Sequence, residues 1–231
     1  MPRGKFVAIE GGDAGGKATQ SRLLAEKLGA RLFSFPRYEM EIGKLIKANL
    51  KGEWFAAKPA FDWAPDAAAN AIVRQALFTL DRYDASTDIL DTLDNGSSVV
   101  ADRYWASGWI YGASDSVDAA MLERVHACLP QPDVWVLLDV PVEESFRRRP
   151  LRQDAYEVDR EKLEDVRRRY LKLFAEEQRD VVAAKAMANH LNICTGCDLD
   201  RMIKQRAKQK WVVVDGIGDI SEVHNRIMGV I

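Results

Sequence analysis

The sequence has little cysteine, little histidine and no long apolar run, and each shortage closes off a class of protein. Three cysteines in 231 residues are an odd number and too few for a disulfide framework. Cys194-x-x-Cys197, with His190 four residues before it, lacks the second pair of ligands that a structural zinc site needs, so ordinary reduced thiols are expected. No apolar stretch approaches the ~20 residues that cross a bilayer, and Met1-Pro-Arg-Gly-Lys-Phe runs into a strand-like segment without a signal-peptide core. A cytoplasmic protein with no membrane partner is expected. Charge of one sign is missing too. With 33 Lys+Arg against 35 Asp+Glu the formal charge is −2, so no global positive field draws in nucleic acid. The local exception, Arg201, Lys204, Arg206, Lys208 and Lys210, has no aromatic residue within it to stack on bases and reads as solvated surface.

What the chain does have is enough apolar residue, 47% of the total, to bury the core of one α/β domain over 1–231. Lys5–Glu10 and Arg31–Phe35 read as strands, and Ser97–Asp102, Val134–Asp139 and Trp211–Asp215 are short apolar runs of the kind found in strands buried on both faces. Between them, Thr19–Leu28, Glu41–Leu50, Asp66–Asp94, Val142–Arg149 and Arg160 to about Met187 carry helical spacing. His126 and Cys128 fall on a further helix, in a core or surface role. Strands alternating with helices predict a parallel sheet, five-stranded on this count, covered on both sides. Trp54–Pro65 reads as a connector, the region about 147–160 as a lid, and 189–210 as an inserted segment of uncertain shape.

Gly11-Gly12-Asp13-Ala14-Gly15-Gly16-Lys17-Ala18-Thr19 follows the first strand and opens the first helix. That is the G-x-x-x-x-G-K phosphate loop in its required context. Its glycines let successive N–H groups turn inward as an anion nest, the helix adds its positive end, and Lys17 supplies a cation for the outer phosphates of ATP. Ala18 departs from the pattern, since Ser or Thr at that place supplies a hydroxyl to Mg²⁺. Two readings stay open: a nucleotide-binding module with impaired catalysis, or an enzyme that holds Mg²⁺ through phosphate oxygens, waters and a carboxylate elsewhere. Mg²⁺ needs few protein ligands, which suits the second.

Asp102-Arg103-Tyr104 ends the third strand and belongs at the carboxyl edge of the sheet, where open α/β sheets bind ligands. Asp102 suits Mg²⁺ or its waters, and Arg103 suits a phosphate. Phe35-Pro36-Arg37-Tyr38 closes the second strand at the same edge. A cation there suits an acceptor that already carries a phosphate, while Glu39 and Glu41 keep a nucleoside hydroxyl in play.

Six segments then coincide in order: E-G-x-D-x-x-G-K at 10–17, F-P-R-Y at 35–38, L-F-x-x-D-R at 77–82, D-R-Y-x-x-S at 102–107, L-P-x-P-D at 129–133 and D-x-Y-E at 154–157. Together they resemble the thymidylate kinases, P-loop nucleoside-monophosphate kinases. Only about 189–210 has no counterpart. The resemblance implies a three-layer P-loop fold, a homodimer, and in-line transfer of the γ-phosphoryl group of Mg·ATP to dTMP. It implies that Phe78 stacks on thymine and Arg82 donates to a base oxygen; these lie at i and i+4, hence on one helix face. It places Asp13 near the sugar 3′-hydroxyl and the phosphates, Tyr111 against the 2′ position, and Arg37 and Arg103 on the acceptor phosphate. Phe35, Tyr38, Ser107 and Gly108 line the acceptor, and Tyr156 packs on its sugar-phosphate side. Kinases for another monophosphate or a deoxynucleoside remain the neighbouring readings.

Arg147, Arg148, Arg149 and Arg152 precede Asp154-Ala-Tyr156-Glu157. A lid arginine closing on the transferred group contributes about 10³–10⁵ in rate where it acts as an arginine finger. Thymidylate kinases place this arginine in the P-loop or in the lid, so with Ala14-Gly15 in the P-loop here the resemblance implies the lid as its source, and Arg149 and Arg152, flanking Pro150, are the preferred pair. Glu157 is a second candidate carboxylate for the metal.

Overall fold

In the computed structural model, residues 2–53, 67–126, 128–148, 160–190 and 207–231 are described. The strands are β1 (Phe6–Glu10), β2 (Arg31–Ser34), β3 (Val99–Asp102), β4 (Val134–Asp139) and β5 (Lys210–Asp215). They form one five-stranded sheet in the order β2-β3-β1-β4-β5, with every pairing parallel. The expected fold class is therefore the observed one.

Period-two alternation divides the strands between two cores, because successive side chains leave a strand on opposite faces. Phe6, Ala8, Phe33, Ala101, Trp135, Leu137 and Trp211 face one way, onto Ile89 and Leu93 of α4 (Ser86–Asp94), Ile110 of α5 (Trp105–Ser114), and Val166, Tyr170 and Phe174 of α8 (Arg160–His190). Val7, Ile9, Val100, Val136, Leu138 and Val214 face the other way, onto Leu24 of α1 (Lys17–Leu28) and onto Val223 and Ile227 of α9 (Ile220–Met228). The central strands β1, β3 and β4 are covered on both faces and have no polar side to show, which is why their sequences read as continuous apolar runs, whereas the edge strands β2 and β5 are partly exposed. The other helices are α2 (Glu41–Leu50), α3 (Ala67–Asp84), α6 (Ala119–His126) and α7 (Val142–Arg148).

Two expectations are corrected. The single helix predicted over Asp66–Asp94 is two, α3 and α4, parted at Ala85. Ser86 Oγ donates to the carbonyl of Arg82 at 2.9 Å beside that break. Cys128 lies beyond the end of α6 and is exposed, whereas His126 ends that helix and is buried. Most of the lid and of the inserted segment falls outside the described residues, as do Arg149, Arg152, Tyr156, Glu157, Cys194 and Cys197. Of the inserted segment, its first two residues continue α8 and Lys210 opens β5.

Candidate active site

Three strand ends bring the phosphate loop and the acceptor loops together. β1 runs into Gly11, β3 into Arg103 and β2 into Phe35; Arg103 N donates to Ile9 O and Phe35 N to Asp102 O, both at 2.9 Å. Parallel register alone thus places Gly11–Lys17, Arg103 and Arg37 along one edge. This is the crevice beyond the carboxyl ends of the strands.

The phosphate loop holds backbone angles that a β-carbon normally resists. Gly11 has φ +145, and a Cβ there would stand 2.5 Å from the Leu138 carbonyl oxygen. Ala14, at φ 57, accepts the left-handed region without being glycine, as does Arg103 at φ 61. Non-glycine residues kept there cost about 1–3 kcal/mol each and persist where the surroundings over-determine them.

Those surroundings are visible around Asp13. Its carboxylate pairs with Arg103 Nη2 and accepts the Tyr111 hydroxyl at 2.8 Å, while its carbonyl accepts Ser145 Oγ of α7 at 2.5 Å. Arg103 Nη1 also reaches Gly11 O and Ser107 Oγ, each at 3.3 Å. Asp13, Arg103, Ser107 and Tyr111, singled out separately in the sequence, form one cluster. Burial works against the Arg103 charge, yet Asp13 and its other neighbours outweigh it and lift its pKa well above the ordinary value.

Lys17 opens α1 and folds back onto the Gly12 carbonyl at 2.5 Å. Burial, and then the Arg103 cation, pull its pKa down to about 8, against the opposing pull of Asp13, Asp102 and Glu10. Asp102 lies within that field, and its Oδ1 is buried without a hydrogen-bond partner among the described residues. A bare carboxylate oxygen at the strand edge fits a hydrated divalent cation, or a water bound to one. Ala18 is exposed and offers no hydroxyl; Thr19, next along α1, is half-buried.

The second group of residues lies on α3. Phe78 is half-buried, and Arg82 is buried with Nη1 donating to Phe78 O at 3.1 Å, so the two share one face as their spacing requires. Gly108 meets Arg82 closely: a Cβ there would stand 2.9 Å from Arg82 Nη1. Arg37 is engaged by α3, with Nε on Asp81 Oδ1 at 2.9 Å and Nη2 on Asp81 O and Asp84 Oδ2 at 2.8 and 2.5 Å. Its guanidinium also lies 5.9 Å from the centre of the Phe35 ring. The neighbouring Tyr38 is exposed.

Three contributors were not singled out in the sequence. Glu10, wholly buried at the end of β1, accepts from Tyr104 N, Ser107 N, Ser107 Oγ and Tyr170 Oη at 2.8, 3.2, 2.7 and 3.0 Å. It thereby fixes the turn that carries Arg103; a polar residue closing an apolar strand was the available signal. Ser145 had none. Arg148 was noticed only as part of a run, yet it joins Arg103 in reaching the phosphate loop. Its Nη1 lies 3.4 Å from Gly15 O, its Nη2 donates to Gly216 O at 2.8 Å, and Glu144 holds its Nε at 2.8 Å.

Comparison with known proteins gives the family of the chain and the likeness of its fold. The sequence profile described as thymidylate kinase matches residues 9–193. A probable thymidylate kinase of Pyrococcus horikoshii is 35% identical over 178 residues, 74% of this chain and 83% of the relative. Human thymidylate kinase is 29% identical over 161 residues, 67% of this chain and 70% of the relative. Among solved structures, a thymidylate kinase from Candida albicans superposes with a TM-score of 0.66 at 23% identity, covering 99% of this chain and 91% of that one, which is a likeness of fold.

Proposed function

The chain belongs to the thymidylate kinase family, and from that we infer that it transfers the γ-phosphoryl group of ATP to dTMP, giving dTDP and ADP. The observation that carries the reading is the Asp13 cluster, in which one carboxylate on the phosphate loop holds the acceptor-side Arg103 and Tyr111. Donor and acceptor phosphates are then gathered at one strand edge, and positioning with charge neutralisation supplies most of the catalysis of an in-line transfer. The loop N–H groups of 11–19 and Lys17 receive the ATP phosphates, and Arg103 and Arg37 receive the acceptor phosphate. Phe78 and Arg82 take the base, lined by Phe35, Tyr38, Ser107 and Gly108, with Tyr111 against the sugar. Asp102 holds Mg²⁺ or its waters, the buried bare Oδ1 being what supports this. When bound there, the cation would supply charge neutralisation to the ATP phosphates. Arg148, already beside Gly15, is the arginine of the 147–152 run that has contacts to the loop among the described residues; Arg149 and Arg152 stay the preferred lid pair, Tyr156 packs on the sugar-phosphate side of the acceptor, and Glu157 is a second carboxylate for the metal.

A turnover assay with ATP, Mg²⁺ and a panel of dTMP, dUMP, dCMP, AMP and thymidine tests the assignment. The highest kcat/KM is expected with dTMP. Faster reaction with thymidine, or ATP binding without turnover of any acceptor, overturns it.

Lys17 makes ATP binding depend on pH. In the ligand-free protein its ammonium loses its proton near pH 8, and an arriving polyphosphate favours the charged form and raises that value. Between the free and bound values binding takes up a proton, so affinity falls as pH rises through about 8. Calorimetry in buffers of different ionisation enthalpy should show uptake approaching a full proton per site above that pH and almost none at pH 6.5.

We further infer a homodimer located where ATP and dTMP occur together, in the cytoplasm. Among the described residues no helix is long and apolar enough to cross a membrane. Ile72, Leu80 and Tyr83 are 42%, 52% and 38% exposed, and with exposed Ala76 they form one apolar stripe along α3 at helical spacing. Leu80→Glu should shift the protein to monomer in sedimentation velocity; an unchanged dimer would exclude that face.

A further inference from the structure

The last turn of α6 grips α3 on both sides of Arg82. Tyr83 Oη donates to the Val125 carbonyl at 2.9 Å, and Thr79 Oγ1 lies 3.2 Å from His126 Nε2. The hydroxyl proton of Thr79 goes to Gln75 O at 2.8 Å, so its oxygen accepts, and Nε2 of His126 carries the hydrogen. This contact is shut off from water, with Thr79 6% and His126 3% exposed.

The imidazole is held between two surfaces. Trp105 stacks on it with ring centres 6.1 Å apart and 26° between planes. Gly108 meets it as well: a Cβ at that position would stand 3.1 Å from both Cε1 and Nε2, and 2.9 Å from Arg82 Nη1. The imidazole and the Arg82 guanidinium therefore rest against the same glycine, a closeness that any side chain at 108 would disrupt. Arg82 needs such support. It is buried, its Nη1 bonds the helix carbonyl of Phe78, and its Nε has no partner among the described residues. Burial and then the Arg82 cation pull the His126 pKa down to about 3, leaving a neutral donor under ordinary conditions.

We propose that His126 is a positioning residue for the acceptor base, fixing the segment of α3 from Phe78 to Arg82 through its hydrogen bond to Thr79 and its packing beside Arg82 on Gly108. The proposal rests on the reading of Phe78 and Arg82 as the base-binding pair. His126 itself does not touch the substrate.

The test uses the full-length protein and compares KM for dTMP with KM for ATP. His126→Phe keeps a ring but removes the donor; it should raise KM for dTMP by about three- to tenfold, the equivalent of one net hydrogen bond, and change KM for ATP less than twofold. His126→Gln, which restores an N–H, should recover most of that loss. Thr79→Val removes the acceptor from the other side and should show the same selective rise, also serving if His126→Phe does not fold. The double variant should be no worse than either single one. An unchanged KM for dTMP in the single variants, an equal rise for both substrates, or fully additive effects overturns the proposal. Arg82→Ala separates this from failure of the underlying reading. If it raises KM for dTMP and His126→Phe and Thr79→Val do not, positioning fails alone; if it leaves that KM unchanged, the base assignment fails with it.

Discussion

Arg103→Ala is expected to lower dTMP turnover at saturating ATP by about 10³-fold, the scale of losing a preorganised charge that meets a transferring phosphoryl group. Arg103 is held by Asp13, Gly11 and Ser107 at a left-handed backbone angle, so little reorganisation is left for the reaction itself. Its removal has a second consequence. Asp13 would keep Tyr111 but lose its ion pair with Arg103, leaving more of its negative charge facing incoming phosphates. Arg103→Lys keeps one charge but not the planar fork that spans three acceptors, and should recover only part of the loss. Steady-state kinetics on both variants provide the check. A loss below tenfold for the alanine variant would remove Arg103 from the transfer step.

Glu10→Ala is expected to cost about 3–5 kcal/mol of stability in urea unfolding, the range for removing one member of a buried charged network. The side chain is fully buried and serves four donors, two of them the backbone N–H groups of Tyr104 and Ser107, which lose this acceptor in a buried setting once it is gone. Burial pushes the Glu10 pKa up, while Ser107, Arg103, Tyr104 N and Arg82 pull it down. Glu10→Gln keeps one carbonyl oxygen in the same volume and should cost roughly 1–3 kcal/mol. Because the two freed N–H groups belong to the turn that carries Arg103, activity should fall with stability. A cost under 1 kcal/mol for the alanine variant would show that water or another group replaces the carboxylate.

The central strands were legible because burial on both faces leaves an unbroken apolar run, and the phosphate loop because its glycines, lysine and following helix together make an anion nest. Position along the chain was enough to put Asp102, Arg103 and Arg37 at the ends of strands, and the i, i+4 spacing was enough to pair Phe78 with Arg82. Helix breaks were less legible. Ala85, where α3 and α4 part, is an ordinary helix former, and the pattern around it carries no stop signal.

What the sequence determined by itself was local: which segments extend, which coil, and which residue types stand at each strand end. Only the tertiary structure decided what those residues meet. Glu10 and Tyr104 are separated by 94 positions and Asp13 and Ser145 by 132, and no periodicity links residues so far apart. Such contacts arise when parallel pairing sets neighbouring strands in register and the covering helices close on the sheet. That is why the phosphate-binding loop was readable from the chain, whereas Glu10, Ser145, Arg148 and His126 acquired their roles in the fold.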